Sequence, residues 1–225
     1  MLSRLADLLA PAVGRLSVTT APGVELAPGS IVAANHTSLA DPAIVLAALR
    51  RLGAEPVIMA AAGLWRIPLL GRALAHGGHI PVTRGDPGRA AASLDAAADV
   101  LARGRLVLLY AEGALPRSRD AAEAAPGAFR SGLARLAERT GAPVVPVGQA
   151  GARRVTSGST LKQLAGLATA PVRRPVLHVH VGAPLLLTGD RATRTSRART
   201  AVTSAWRTAA AHLEGPSAPP RDLGT

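Results

Sequence analysis

Along the chain, short runs of apolar residues alternate with stretches in which apolar residues recur at helical spacing. This pattern predicts strands that alternate with helices. Short apolar runs typical of buried strands lie at 30–35, 56–61, 79–83, 105–113, 142–151 and 176–182. Between them, stretches with helical spacing or helix-start signals lie at 41–52, 62–75, 88–104 and 127–140. This alternation is typical of α/β proteins with a mainly parallel central sheet covered by helices on both faces. With 225 residues, a single domain is expected.

The two ends of the chain differ from this central pattern. In the N-terminal region, 1–22, apolar residues recur at helical spacing from Leu2 to Val13, which predicts an amphipathic helix broken or kinked near Pro11. Packing on the domain and lying on a membrane surface both explain such a helix. The main domain is expected over 23–188, a C-terminal helix over 189–214, and a disordered Pro/Gly-rich tail over 215–225. No apolar, uncharged stretch reaches roughly 18 residues, so no transmembrane helix is predicted.

Composition narrows the classes of function. The chain contains no cysteine, which excludes disulfides, cysteine metal sites and a cysteine nucleophile. Aromatic residues make up 2% of the chain, which argues against base-stacking surfaces for single-stranded nucleic acid. The formal charge is +12, of which +8 falls in residues 151–225. Such a charge is explained by compositional bias towards arginine, or by a surface for phosphates, anionic lipid or nucleic acid.

Several common catalytic motifs are absent from the sequence. There is no Walker loop, no GxGxxG, no GxSxG nucleophile elbow and no HExxH zinc motif. His178 and His180 lie two positions apart on a predicted strand, so both face the same side. No third ligand accompanies them, and an exposed or partly buried strand face explains them better than a metal site.

The stretch "NHTSLADP" (35–42) contains the first candidate for catalysis. Asp41 followed by Pro42 is a strong helix start, with aspartate as the N-cap and proline at the first helical position. His36 then lies in the turn between a strand and this helix, where open α/β sheets bind ligands. A histidine held by a carboxylate can act as a general base on a hydroxyl. The cap alone would explain Asp41, so the pair by itself is weak support for catalysis.

The order of several sequence motifs along the chain indicates a function more specifically than the His36–Asp41 pair alone. The chain resembles the lysophosphatidate acyltransferase family of glycerolipid acyltransferases, which carry an H-x4-D motif, over about residues 30–187. The blocks that carry the resemblance are "NHTSLADP" (35–42), "GLWRIPLLGRALAHGGHIPVTRG" (63–85), "LLYAEGALPRS" (108–118), "APVVPVGQAG" (142–151) and "VHVGAPL" (179–185).

The resemblance implies an O-acyltransferase that uses acyl-CoA or acyl carrier protein as its acyl donor. It implies that His36 is the general base and Asp41 the residue that orients it. The acceptor-binding positions that it implies are Arg84, Glu112, Gly113 and Arg117. The expected partners are the thioester, a lysophospholipid-like acceptor and an anionic membrane surface, with no nucleic acid. No metal or other cofactor is expected, and the expected location is the cytoplasmic face of the cell membrane, as a peripheral protein.

The third block departs from the family pattern. It reads Tyr-Ala-Glu-Gly-Ala at 110–114 where the family has Phe-Pro-Glu-Gly-Thr, so the hydroxyl after the glycine is lost. Leu115 and Pro116 also intervene before Arg117. Because this block contacts the acceptor in the family, a different lysophospholipid, a glycolipid or a specialised metabolite is an alternative acceptor. A catalytically silent lipid-surface protein and a basic nucleic-acid-binding protein are the alternatives from other classes.

Overall fold

Seven strands form one sheet in the computed structural model, which describes residues 14–113, 123–156 and 160–214. The strands are β1 (Arg15–Thr20), β2 (Ile31–Ala34), β3 (Val57–Ala61), β4 (Ile80–Val82), β5 (Val107–Tyr110), β6 (Val144–Ala150) and β7 (Val176–Val181). Their order across the sheet is β1-β7-β6-β2-β5-β3-β4. Strands β6, β2, β5, β3 and β4 are parallel, whereas β7 runs antiparallel to β6 and pairs in parallel with β1. The predicted α/β fold with a mainly parallel sheet is confirmed.

Helices connect the strands and cover both faces of the sheet. They are α1 (Asp41–Arg51), α2 (Pro68–His76), α3 (Pro87–Ala102), α4 (Gly132–Thr140), α5 (Ala152–Val155), α6 (Thr160–Arg173) and α7 (Arg191–Glu214), with a 3₁₀ helix at Ala62–Arg66. Proline occupies the start of α1, α2 and α3, where the missing N–H would have no helical partner. Within the described residues, every helix is too short or too polar to span a bilayer.

The core consists of two apolar layers, one on each face of the sheet. In β2 all four residues are buried, and they alternate between the layers: Val32 and Ala34 face α1, whereas Ile31 and Ala33 face α3, α4 and α7. A strand buried on both faces needs no polar alternation, which explains its continuous apolar sequence. Helix α7 lies directly on β6, where a Cβ on Gly148 would stand 2.1 Å from the backbone nitrogen of Trp206. Glycine therefore permits this close packing.

Three features differ from the sequence-based expectations. Strand β1 lies inside the 1–22 region that was assigned to a helix, so the sheet begins earlier than the predicted boundary at residue 23. The apolar stripe from Leu2 to Val13 and the tail at 215–225 lie outside the described residues. Helices α5 and α6 were not predicted from the sequence. The final helix, α7, falls within the range 189–214.

The topology places the ends of three neighbouring strands beside one another. Strand β2 lies between β6 and β5, and all three are parallel, so their carboxyl ends meet at one edge of the sheet. His36 follows β2, Glu112 follows β5 and Gln149 lies near the end of β6. Strand β4, which precedes Arg84, is at the far side of the sheet. This edge is the place where the fold brings the candidate residues together.

Candidate active site

His36 and Asp41 form a hydrogen-bonded pair in the turn between β2 and α1. The His36 Nδ1 atom lies 2.9 Å from the Asp41 Oδ2 atom. The aspartate side chain is fully buried, whereas 18% of the histidine side chain is exposed. A carboxylate oxygen accepts but cannot donate, so Nδ1 carries the proton and the lone pair lies on Nε2. The bent turn therefore joins two side chains that a regular helix would point in different directions.

Asp41 stabilises this turn through further hydrogen bonds. Its Oδ2 atom also accepts from the backbone N–H groups of Thr37, at 2.5 Å, and Ser38, at 2.9 Å. The prediction that Asp41 is the N-cap of the following helix is wrong, because the helix begins at Asp41 itself and its cap position is Ala40. The carboxylate contacts the preceding turn instead of the first helical N–H groups. Asp41 thus fixes both the backbone around His36 and the imidazole ring.

Gln149 completes the hydrogen bonding of the aspartate. Its Nε2 atom donates to Asp41 Oδ1 at 2.7 Å and to Thr37 Oγ1 at 3.0 Å. Its backbone exchanges two hydrogen bonds with the Asn35 side chain, at 2.8 and 3.0 Å, which fastens β6 to the end of β2. The sequence analysis assigned no role to Gln149. The available signal was a glutamine inside an apolar run predicted to be buried on both faces, where a polar group requires a partner.

Glu112 clamps the backbone on the other side of His36. Its Oε1 atom accepts from the His36 N–H and its Oε2 atom from the Gly127 N–H, each at 2.8 Å. Burial raises the pKa of this carboxyl, and the two backbone hydrogen bonds oppose that shift. Both oxygens are thus occupied within the protein. Glu112, a position expected to bind acceptor, therefore lies beside the His36–Asp41 pair and holds the backbone of His36.

Gly113 sits in a backbone conformation that favours glycine. Its φ is 71°, and an added Cβ would lie 2.7 Å from Cδ of Arg130. A larger residue would therefore strain the backbone and also displace the arginine. The Arg130 N–H donates to the carbonyl of Ala111 at 2.8 Å, which keeps this arginine beside the turn.

Tyr110 stacks on the candidate base. Its ring centroid lies 4.5 Å from that of His36, with 30° between the ring planes. Burial, followed by the negative charge of Asp41, raises the pKa of Tyr110 well above its usual range. The hydroxyl oxygen is buried and has no hydrogen-bond partner among the described residues. The ring therefore limits the movement of the imidazole.

The two arginines predicted to bind acceptor are placed differently from this cluster. Arg84 is exposed in the turn after β4, at the same edge of the sheet. In the described part of the chain, no hydrogen bond or ion pair joins Arg84 to His36 or Glu112. Arg117 lies outside the described residues. The structure thus brings together His36, Asp41, Glu112 and Gly113, with Arg84 further along the edge.

Comparison with known proteins identifies the family of this chain. Residues 15–149, more than half of the chain, match the family described as Acyltransferase. The chain belongs to this acyltransferase family. The matched range begins at β1 and ends at Gln149, so it contains every residue of the cluster described above. The family resemblance seen in the sequence is confirmed.

Two curated acyltransferases and one solved structure illustrate the relationship. The chain is 30% identical over 129 residues to a chloroplastic 1-acyl-sn-glycerol-3-phosphate acyltransferase of Brassica napus, covering 56% of this chain and 35% of that protein. The similar enzyme of Arabidopsis thaliana gives 30% over 129 residues, with 56% and 34% covered. The chain thus spans about a third of these relatives. The 1-acyl-sn-glycerophosphate acyltransferase PlsC of Thermotoga maritima has the same fold, with a TM-score of 0.70, 16% identity, and 96% and 80% of the two chains covered.

A histidine cluster lies apart from the candidate active site, between β1, β7 and α7. The His178 ring nitrogens are bonded to Ser17 Oγ at 2.6 Å and Thr19 Oγ1 at 3.0 Å. The ring stacks on His212 with centroids 4.1 Å apart. Burial, then the charges of His212 and His180, lower the pKa of His178 to about 4. No group of three or more His, Cys, Asp or Glu in the described residues is arranged to hold a metal.

A cleft of about 470 Å³ opens at the opposite edge of the sheet. It is lined by residues near the amino ends of β3 and β5, among them Leu26, Leu52 and Leu106, with Glu55 and Arg105 at its polar side. None of the residues of the candidate active site lines it. The cleft therefore does not serve the His36–Asp41 pair.

Proposed function

We propose that the protein is an O-acyltransferase that moves a fatty acyl group onto the hydroxyl of a lysophosphatidate-like glycerolipid. The donor is the thioester of acyl-CoA or of acyl carrier protein. The observation that carries the proposal is the hydrogen bond between His36 Nδ1 and the buried Asp41 carboxylate at the carboxyl edge of the sheet. The pair leaves Nε2 as the basic atom, and family membership supplies the acyl-transfer chemistry.

In this mechanism His36 acts as a general base on the acceptor. Nε2 removes the hydroxyl proton as the acceptor oxygen attacks the thioester carbonyl, and the negative charge moves onto the carbonyl oxygen. Collapse of this tetrahedral intermediate breaks the carbon–sulfur bond, and the imidazolium returns its proton to the departing thiolate. The products are an ester and a free thiol. Asp41 holds the tautomer and stabilises the imidazolium between the two steps.

The surrounding contacts serve to keep His36 in place during the reaction. Glu112 binds the backbone of His36, and Tyr110 covers one face of its ring. Gln149 holds the far oxygen of Asp41. A base held in this way loses little orientational freedom when the acceptor binds, which favours attack geometry. These contacts support the assignment of His36 as the base.

Arg84 is the proposed contact for a phosphate on the acceptor. Its guanidinium is exposed at the edge of the sheet that carries His36, and a guanidinium forms paired hydrogen bonds with phosphate oxygens. The exposed position leaves it accessible to a headgroup while the hydroxyl reaches the base. An anionic membrane surface on the cytoplasmic face is the proposed location, because acyl-chain products partition into lipid.

The test measures thiol release and product together. Wild-type protein is given one long-chain acyl-CoA with a panel of lysophospholipid, glycerol-phosphate and glycolipid acceptors, and the products are identified by mass. We expect His36→Ala to lower kcat at least about a hundredfold while the fold survives. His76→Ala, at an exposed histidine of α2, is the matched control and should retain wild-type turnover. Wild-type turnover in folded His36→Ala protein would refute the mechanism, and acyl transfer to none of the acceptors would refute the function.

A further inference from the structure

An irregular segment, residues 123–130, lies along the carboxyl edge of the sheet beside the candidate active site. In this described part of the chain there is neither helix nor strand, so no ladder of backbone hydrogen bonds fixes the segment. It leads into α4 and passes Glu112, whose carboxylate binds the backbone of His36. We name these residues the crossing segment. Its position depends on individual hydrogen bonds to other parts of the chain.

The two ends of the crossing segment are bonded to two different strand ends. At one end, the Glu123 Oε1 atom accepts from the Gly151 N–H at 2.8 Å, directly after β6. At the other end, the Arg130 N–H donates to the Ala111 carbonyl at 2.8 Å, directly after β5. Strand β2 lies between β6 and β5 in the sheet. The crossing segment therefore spans the end of the strand that leads to His36.

The middle of the crossing segment contacts Glu112. The Gly127 N–H donates to Glu112 Oε2 at 2.8 Å, and Glu112 Oε1 accepts from the His36 N–H at the same distance. An added Cβ on Gly127 would lie 3.2 Å from Oε2, closer than a side-chain carbon normally approaches, so glycine permits this contact. A displacement of Gly127 would remove one of the two hydrogen bonds that orient the carboxylate. The bond to the His36 backbone would then lose its fixed geometry.

Arg199, on α7, binds the crossing segment at this same point. Its Nε atom donates to the Gly127 carbonyl at 2.9 Å, and its Nη2 atom donates to the Pro126 carbonyl at 3.4 Å. The two partners are 72 and 73 positions away in sequence. A guanidinium presents its N–H groups in a fixed plane, so two bonds to successive carbonyls define both the distance and the orientation of the backbone. Arg199 thus fixes the peptide groups on both sides of the Gly127 nitrogen and carbonyl.

We propose that Arg199 is a positioning residue for the base. Its guanidinium holds Gly127 in place, Gly127 orients the Glu112 carboxylate, and Glu112 holds the backbone of His36. This inference rests on the proposed function, because it takes His36 as the base. Helix α7 lies beyond residues 15–149, which match the family, so the inference adds to the site a residue from outside the matched range.

A contact that served only the stability of the fold would give a different result. Loss of an arginine that merely fastens α7 would lower the free energy of unfolding and leave kcat unchanged. Loss of a positioning contact lowers kcat, because the base is less well oriented for attack. It leaves the KM values for donor and acceptor unchanged, because Arg199 acts through Glu112 and not on either substrate. Measuring kcat, KM and unfolding together therefore distinguishes the two roles.

Three single substitutions on α7 provide the first test. In Arg199→Ala both hydrogen bonds are lost, and we expect kcat to fall about tenfold with each KM within about twofold of wild type. Arg199→Lys keeps the positive charge and can donate to one carbonyl, so its kcat should return to within about threefold of wild type. Arg197→Ala, at an exposed arginine of the same helix bonded to Thr188, is the matched control and should retain wild-type turnover.

A double substitution tests the route through Glu112. Glu112→Gln replaces the carboxylate that links Gly127 to His36, so that it no longer accepts equally at both ends. In this background Arg199→Ala should lower kcat by less than about threefold, because the link is already broken, whereas independent effects would multiply. The control, Arg197→Ala combined with Glu112→Gln, should have the same kcat as Glu112→Gln alone.

Amide hydrogen exchange, followed by NMR on the full chain, tests the hydrogen bonds without any substrate. In Arg199→Ala the Gly127 and His36 amides should exchange at least about tenfold faster than in wild type, whereas Arg197→Ala should leave both rates unchanged. Unchanged exchange at both amides would overturn the inference. So would an unchanged kcat in Arg199→Ala, a raised KM with unchanged kcat, or full multiplication of the Arg199 and Glu112 effects. Absence of acyl transfer by wild type would refute the proposed function, and the amide rates would still decide whether Arg199 holds the His36 backbone.

Discussion

Asp41→Asn is the substitution that most directly tests the proposed role of the His36–Asp41 pair. The change keeps the size and shape of a fully buried side chain but removes its charge. An amide nitrogen in place of Oδ2 would face three N–H donors, from His36, Thr37 and Ser38, so the nitrogen takes the Oδ1 position. There it meets Gln149, whose own Oε1 atom is buried without a hydrogen-bond partner among the described residues and can turn to accept. The site can therefore accommodate asparagine.

The expected effect on stability is small. Three hydrogen bonds to Oδ2 change from charge-assisted, about 1.5–3 kcal/mol each, to neutral, about 0.5–1.5 kcal/mol each. That loss of about 3–4.5 kcal/mol is offset by relief of the cost of burying a charge, which is several kcal/mol. The free energy of unfolding should thus change by less than about 2 kcal/mol. Denaturant unfolding measures this directly.

The expected effect on turnover is large. A carboxylate about 4 Å from the imidazolium charge contributes about 4 kcal/mol at an effective dielectric constant of about 20. Loss of that attraction in the transition state lowers kcat by about a thousandfold. Thiol release under saturating substrates measures it, with Asp95→Asn, an exposed aspartate paired with Arg139, as the control. A kcat within tenfold of wild type in protein of unchanged stability would refute the reasoning.

Three further predictions test other parts of the structure. Arg84→Ala should lower kcat/KM for a phosphate-bearing acceptor by an amount equivalent to about 1.5–3 kcal/mol and leave the KM for the donor unchanged, whereas Arg103→Ala, the exposed control, should change neither. Equal losses for donor and acceptor would remove Arg84 from the acceptor site. The pKa of His178 is lowered from 6.5 to about 4. The contribution of neutral His178 to the free energy of unfolding is therefore complete above pH 6.5 and falls as the pH drops towards 4. Urea midpoints measured from pH 7 to 4 should fall less steeply in His178→Asn, and parallel curves would contradict this. Gly148→Ala should destabilise the protein by at least about 1–3 kcal/mol, because the added Cβ would overlap the α7 backbone. In Gly132→Ala the added Cβ would have no neighbour within 4 Å, so this variant should be as stable as wild type. Equal unfolding temperatures for the two variants would contradict the packing.

The sequence predicted those strands and helices whose own residues follow a clear apolar or helical pattern. Strands β2, β5 and β6 were predicted because their residues are almost continuously apolar, with Gln149 as the polar residue within β6, as burial on both faces favours. Strand β1 was missed, since polar and apolar residues alternate in Arg15–Thr20 and the preceding leucines favoured a helix. Helix α6 was missed because glycine and proline within Thr160–Arg173 weaken the helical signal.

The candidate site was predictable only where residues lie close in sequence. His36 and Asp41 were found together because they share one turn and one motif. The contact of Glu112 with the His36 backbone depends on β5 pairing beside β2, and the contact of Gln149 with Asp41 depends on β6 pairing on the other side. Spacing within one block contains no information about such pairings. Asp41 was misassigned as a cap for the related reason that a helix-start pattern does not show which way the carboxylate turns.

The Gln149–Asp41 bond makes the final orientation of His36 a late event in synthesis and folding. These two residues are 108 positions apart, and the reciprocal bonds between Gln149 and Asn35 span 114. When His36 and Asp41 have left the ribosome, the nascent chain still lacks β6, which carries the glutamine that holds the carboxylate. Contacts of such long range in sequence also form slowly. The unfinished chain therefore carries the motif without an oriented base. Activity should arise only after β6 has been inserted beside β2, so the polypeptide acquires its fold before its reactivity.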